Sequence, residues 1–268
     1  MKAMVVEEFG DPHQLRPADV PEPVPGPGQV RIAVRAAGTN PVDATNRADG
    51  RWAGLTTPCV LGYEVAGIVD RIGPDVTGTV VGDRVMAMTH FPDGAGGYAE
   101  QVVVDADQVA RIGPTTSFVA AAATPVAAGT AATVLTRLAP APGSRLLVLG
   151  ASGGVGLFLL QLAARAGIVT IAVGRRSMHE RMRSLGAAAC IDYTGEDVAT
   201  RATQLAGGRV DAVADLVGGS VLATALPALR PVISATLPLS EAAEAHRLLE
   251  QGHSGGKIVL TVGADPGT

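Results

Sequence analysis

The run Leu146–Gly156, LLVLGASGGVG, constrains this chain more than any other stretch of it. An apolar strand leads straight into a glycine-rich turn, and apolar residues then recur at helical spacing over Gly154–Ala166. Glycines at 153, 154 and 156 let the backbone turn tightly and come close to whatever occupies the turn. The unpaired amides at the start of the helix suit an anion such as a pyrophosphate. A second strand, Thr170–Gly174, stands where a strand–helix–strand unit needs it. The competing reading is such a unit with a tight turn and no ligand, but plain packing rarely needs three glycines together. Ser152, Gly153, Gly154 and Val155 are therefore candidate cofactor contacts. Gly174 and Val217, at the ends of later strands, complete the set.

From about Ser117 the chain alternates. Arg145–Gly150, Thr170–Gly174, Cys190–Tyr193 and Val210–Val217 read as apolar strands. Gly154–Ala166, Ser177–Leu185, Asp197–Leu205 and Ser220–Leu229 read as helices, so a parallel sheet covered on both faces is expected. Before about Ile112 the texture differs. Short strand-like runs at Met1–Val6, Gln29–Ala36, Val65–Ile72, Asp83–Met88 and Tyr98–Val104 are broken by Pro and Gly. Pro21–Gly28 (PEPVPGPG) is a stiff connector. Closely spaced short strands predict a compact, barrel-like β domain. After Arg230 the first texture returns, with a strand at Val232–Leu239, a helix from Ser240 to Gln251 and a strand at Lys257–Val262. A chain of 268 residues has room for two such domains.

A net charge of -4 argues against a nucleic-acid partner held through phosphates. No stretch approaches a membrane-spanning apolar run and MKAMVVEEFG lacks a signal-like one, so a cytoplasmic protein with no membrane partner is expected. Cys59 and Cys190 are too few for a disulfide framework or a structural zinc site and read as buried thiols.

The end of the second strand reads out the nucleotide. A domain for NAD carries Asp or Glu there, to accept from the ribose 2′-hydroxyl. This chain has Gly174-Arg175-Arg176-Ser177 instead. Two guanidinium groups can hold a 2′-phosphate bidentately. A solvated arginine pair is the other reading, but cations at a helix N-terminus oppose the helix dipole, which favours an anion between them. The expected cofactor is NADPH.

Motifs along the whole chain carry a resemblance. NPVD (Asn40–Asp43), LGYEVAGIV (Leu61–Val69), VGDRV (Val81–Val85) and GGYAEQVVV (Gly96–Val104) are followed by AAATPVAAGTAATVL (Ala121–Leu135), ASGGVG (Ala151–Gly156) and GGKIVL (Gly255–Leu260). In this order and spacing they resemble the medium-chain dehydrogenase/reductase superfamily, in its zinc-free quinone oxidoreductase (zeta-crystallin-like) branch. The resemblance implies an α/β chain with a GroES-like β-barrel catalytic domain over 1–116, to which 231–268 returns. It places a Rossmann NADPH-binding domain over 117–230 and the active site in the cleft. The implied reaction is hydride transfer to the carbon–carbon double bond of a quinone or enone, or of a polyketide-like intermediate.

Zinc-dependent relatives place a Cys ligand where Asn40 stands, and the His of a Gly-His-Glu triplet where this chain has Gly62-Tyr63-Glu64. The Cys-rich loop of a structural zinc is absent as well, so no metal is expected. Conjugate reduction then suits the site better than alcohol oxidation, because hydrogen-bond donors can meet the charge growing on an enolate oxygen. By resemblance, Asn40 and Thr130 lie beside the nicotinamide, Asn40 donating to a carbonyl and Thr130 orienting the ring. Against this, Asn40 has a lesser reading as a turn residue before Pro41, and Thr130 reads equally as an apolar-face helix residue. Tyr193 matches a tyrosine near the adenosine 2′-phosphate, with strand packing as the alternative. Thr45 stands where relatives often carry a substrate-positioning tyrosine. Trp52 and His90 fall in loops expected to face the cleft, where His90 is a candidate to protonate an enolate or is simply solvated.

One departure is large. Relatives continue after the helix ending near Arg230 with a Gly-rich strand, a helix and a further edge strand, whereas here Leu229-Arg230 runs into Pro231-Val232-Ile233-Ser234. About 50 residues, two strand–helix units of a six-stranded sheet, are missing, and the Rossmann domain is expected to be truncated. Val210–Val217 then becomes a sheet edge to be covered by Pro231–Leu239, paired with another subunit or left open. A natural deletion, an engineered one and a chain numbered without a stretch are all open at this point. So is a second function, a dinucleotide-binding protein of the same fold that has lost reductase activity and serves as a structural or sensing module. Self-association is open too, and conventional pairing through the sheet edge is not expected.

Overall fold

The computed structural model describes residues 1–90, 96–219, 222–223, 233–250 and 257–261. The chain divides into two compact units, Met1–Arg137 and Leu138–Thr268. In the first, β1 (Lys2–Val6), β2 (Leu15–Asp19), β3 (Gln29–Ala37), α1 (Pro41–Asp49), β4 (Cys59–Val60) and β5 (Glu64–Ile72) are followed by β6 (Arg84–Met88), β7 (Gln101–Asp105), β8 (Val109–Arg111), α2 (Phe118–Ala122) and α3 (Pro125–Leu138). A five-stranded antiparallel sheet runs in the order β7-β3-β5-β6-β8, and a smaller sheet in the order β2-β1-β4. Alternation sends Val30, Ile32, Val65, Val69, Val85, Ala87, Val102 and Val104 into one core.

The first unit runs past the expected boundary at 116. Ser117 caps α2 by accepting from the Ala120 N–H at 3.1 Å. The helix then buries Ala121 and Ala122 beside Ala66 and Met86 of the barrel. The burial of these small side chains ties the segment to the strands of the first unit.

The second unit holds β9 (Arg145–Leu149), α4 (Gly154–Arg165), β10 (Val169–Val173), α5 (His179–Ser184), β11 (Ala189–Ile191), α6 (Val198–Ala206) and β12 (Ala212–Asp215). It continues with β13 (Ile233–Pro238), α7 (Ala242–Glu250) and β14 (Lys257–Thr261). Four strands form a parallel sheet in the order β11-β10-β9-β12. Leu147, Leu149, Ile171, Val173 and Ile191 pack against Val198, Ala199, Ala202 and Ala206 of α6. Asp197 caps that helix on the Thr200 N–H at 2.7 Å, and Gly207, at φ +64, ends it.

Among the described residues β12 is an edge of its sheet, and β13 pairs in parallel with β14 rather than with β12. The division also keeps β13 and β14 with the second unit, where the resemblance returned 231–268 to the first domain. A 3-10 turn, Leu239–Glu241, delays the start of α7 past Ser240. The helix expected at 220–229 lies largely outside the described residues. No helix among those described is long and apolar enough to cross a membrane.

Candidate active site

In the second unit the predicted turn forms between β9 and α4. A Cβ on residue 156 would lie 2.6 Å from the Cα and carbonyl oxygen of Ala151 and from the carbonyl oxygen of Gly150. All three are backbone atoms that have no room to yield, so only glycine lets α4 start this close to the end of β9. Gly150 takes φ +73, and a Cβ there would meet Val217 Cγ2 at 2.7 Å, which brings Val217 to the turn. The Ala151 N–H donates to Val173 O at 3.1 Å, and the Gly153 N–H to Gly150 O at 3.0 Å. The first-turn amides of α4, at Gly154 and Val155, have no intrahelical acceptor, and Gly153 offers no side chain to cap them.

Gly174 is buried beside Ser152, whose Oγ would lie 3.3 Å from a Cβ at 174. Beyond it, Arg175 Nε donates to the Tyr193 hydroxyl at 3.1 Å, so two predicted contacts of the 2′-phosphate touch each other. Arg175 and Arg176 are exposed. The nearby Asp192 is already engaged: it accepts from the Thr194 hydroxyl at 2.7 Å, from the Thr194 N–H at 3.0 Å and from the Arg176 backbone. These bonds hold its carboxyl below the ordinary range.

In the first unit Asn40 caps α1. Its N–H donates to Asp43 Oδ2 at 2.7 Å, and the Asp43 N–H returns to Asn40 O at 3.0 Å, with Pro41 at the first helical position. The turn reading of Asn40 thus describes its backbone, and its side chain takes part in the same capping box while also reaching Glu64. Asn40 Nδ2 donates to Glu64 Oε1 at 3.0 Å. The other oxygen, Oε2, accepts from the Val126 N–H at 2.8 Å, in the first turn of α3. Glu64 is only 2% exposed, and burial pushes its carboxyl up against the downward pull of these two bonds.

Asp43 sits beside it, also buried and also pushed up by burial. It accepts from the N–H groups of Asn40 and of Gly62, the latter at 3.2 Å, and from the Tyr98 hydroxyl. Burial, and then the charge of Asp43, raise the Tyr98 phenol. Tyr63 is buried and its hydroxyl accepts from Asn46 Nδ2. The two positions that hold zinc ligands in relatives therefore carry an amide and a buried phenol. Among the described residues no group of three or more His, Cys, Asp or Glu is arranged to hold a metal.

The remaining predicted residues are placed less tightly. Thr130 is exposed on α3, just over a turn beyond Val126. His90 is exposed and lines a hollow with Met88, Thr89, Val104, Asp105 and Gln108, which neither Asn40 nor Glu64 lines. Trp52 is 61% exposed. The Thr45 hydroxyl turns back onto Pro41 O at 3.2 Å, so it does not replace a tyrosine. In the sequence Glu64 stands only as a member of LGYEVAGIV and of the triplet at 62–64, with no role of its own. A lone carboxylate opening an apolar strand was the signal that marks it as a buried, partnered charge.

A GroES-like β-barrel unit and a Rossmann-type unit make up this fold. Residues 26–114 match the alcohol dehydrogenase GroES-like domain, and 154–232 and 227–260 match two zinc-binding dehydrogenase families. The chain belongs to the medium-chain dehydrogenase/reductase superfamily, in its quinone oxidoreductase branch.

The chain is similar to the pikromycin polyketide synthase component PikAII of Streptomyces venezuelae, 42% identical over 167 residues that make up 62% of this chain and 4% of that protein. It is 31% identical to the chloroplastic NADPH-dependent alkenal/one oxidoreductase of Arabidopsis thaliana, over 306 positions covering 97% of this chain and 79% of that one. The quinone oxidoreductase of Escherichia coli complexed with NADPH superposes with a TM-score of 0.80 at 25% identity, covering 98% of this chain and 81% of that one. The chain thus spans only a small part of the polyketide synthase it matches. The Arabidopsis alignment is 38 positions longer than the whole chain, and the last two family matches meet at 227–232. Both observations fit a missing segment beside Arg230.

Proposed function

We propose that this protein reduces the carbon–carbon double bond of a quinone or α,β-unsaturated carbonyl with NADPH and without zinc. Asn40 carries the reading. It stands at a ligand position of the zinc enzymes as a neutral amide, placed between the carboxyls of Glu64 and Asp43. Donation from this amide to a substrate oxygen would meet the negative charge that grows as the double bond is reduced. A donor of this kind is typically worth about a hundredfold or more in rate.

The cofactor reading rests on the glycine-lined turn, the first-turn amides of α4 and a cationic end of β10. Arg175, braced by Tyr193, and Arg176 would hold a 2′-phosphate. Bound NADPH supplies the hydride. Thr130 is assigned to orienting the nicotinamide and His90 to proton supply. The likeness to a polyketide synthase component adds unsaturated acyl thioesters to the candidate substrates.

Oxidation of NADPH followed with quinones, enones and an unsaturated thioester tests the reading, with and without chelator. Sustained turnover, unchanged by chelator, is expected. Activity lost to chelator and restored by zinc would overturn the metal-free part. The alignment positions absent from this chain favour the second function, and nucleotide binding with no turnover on any acceptor would establish it.

A further inference from the structure

We infer that Glu64 is a positioning residue for Asn40, fixing which side of its amide is offered to a ligand. The inference rests on Asn40 being the group that meets the substrate oxygen. An Asn side chain presents an oxygen and an NH2 of nearly the same shape, so packing alone leaves two orientations open. Both oxygens of Glu64 accept, Oε1 from Asn40 and Oε2 from Val126, so the carboxyl offers Asn40 only an acceptor, which selects one of them. Nδ2 is turned to Glu64 Oε1 at 3.0 Å, and the Asn40 side chain also bonds the Asp43 carboxyl at the start of α1.

The carboxylate is itself held. Its other oxygen caps the first turn of the 14-residue helix α3 through the Val126 N–H, where the helix dipole favours an anion. A Cβ on residue 38 would lie 2.4 Å from Glu64 Oε1 and from the carbonyl oxygen of Ala122, so Glu64 fills the space that a side chain at Gly38 would need. The same carboxylate therefore sets both the Asn40 amide and the helix that carries Thr130.

The test joins a spectrum to a kinetic cycle. In the wild-type protein without nucleotide, the Asn40 side-chain amide, assigned by its loss in Asn40→Ala, should show one proton shifted downfield and protected from exchange. Glu64→Gln should abolish that signature, because a glutamine offers its NH2 to one of the two donors. With an enone and NADPH, Glu64→Gln should lower kcat at least about tenfold, and Glu64→Gln/Asn40→Ala should be no slower than Asn40→Ala within about twofold.

Losses that multiply in the double variant would overturn the inference, since Glu64 would then act through the helix alone. An Asn40 amide indistinguishable from a solvated one would also overturn it. That wild-type spectrum decides the matter even if Glu64→Gln does not fold. Absent turnover in the wild type would sink the proposed function while the amide signature still judged Glu64.

Discussion

In the first unit the candidate site is built from buried charge: Asp43 and Glu64 are each less than a tenth exposed and together hold the amide of Asn40, the backbone of Gly62 and Val126 and the hydroxyl of Tyr98. The candidate nucleotide site of the second unit is built from backbone and exposed side chains, a glycine turn and the arginines after β10. Stability and function are therefore coupled in the first unit and at the glycine turn of the second, and separable at the exposed arginines. A buried carboxylate serving several donors cannot be removed without leaving them unpaired in a water-poor interior. An exposed arginine can be removed with little effect beyond the ligand it meets.

The largest effect belongs to Asp43. Asp43→Ala strands the N–H groups of Asn40 and Gly62 and the Tyr98 hydroxyl, and should cost about 4 kcal/mol in urea unfolding. A loss below about 1 kcal/mol would mean that water already serves those donors. Gly156→Ala comes next. Its Cβ meets only backbone, so it should cost about 2 kcal/mol and weaken nucleotide binding in fluorescence titration.

Arg175→Ala should separate the two units most clearly. It should weaken NADPH about tenfold and NADH much less, with unfolding unchanged within about 0.5 kcal/mol. Tyr193→Phe, which removes the acceptor of Arg175 Nε, should weaken NADPH about threefold. Equal losses for the two nucleotides would refute the assignment of the 2′-phosphate.

The smallest effect is a slope in pH. Burial raises the Glu64 carboxyl, so the folded protein keeps that proton to higher pH than the unfolded chain. Stability from this group is complete below the ordinary carboxylate range and is lost as pH rises through the raised value. The stability of the wild type relative to Glu64→Gln should therefore fall from mildly acid to neutral pH, read from urea midpoints. A difference that grows with pH would contradict the burial account.

Much of the second unit was legible because buried parallel strands read as apolar runs. The run expected at Arg145–Gly150 is β9, that at Thr170–Gly174 is β10 shifted by one residue, and Val210–Val217 contains the shorter β12. The first unit was less so. Strand β2 contains Pro17, β4 has two residues, and α1 follows an Asn-Pro that reads as a turn, so none stands out locally. Glu64 was hidden for a different reason. It lies 24 residues from Asn40, and only the pairing of β3 with β5, with Ala37 opposite Val65, brings the two together. Long-range register of this kind leaves no periodic trace in the sequence.

Above all, hydride should reach a carbon–carbon double bond at a site held by an amide rather than a metal. The most direct measurement is turnover of an enone with NADPH deuterated at the transferred position, in the presence of chelator, with the product read by NMR. Deuterium on the β-carbon of a saturated ketone is the predicted result. Deuterium on the carbonyl carbon of an alcohol, or none in any product, would contradict it.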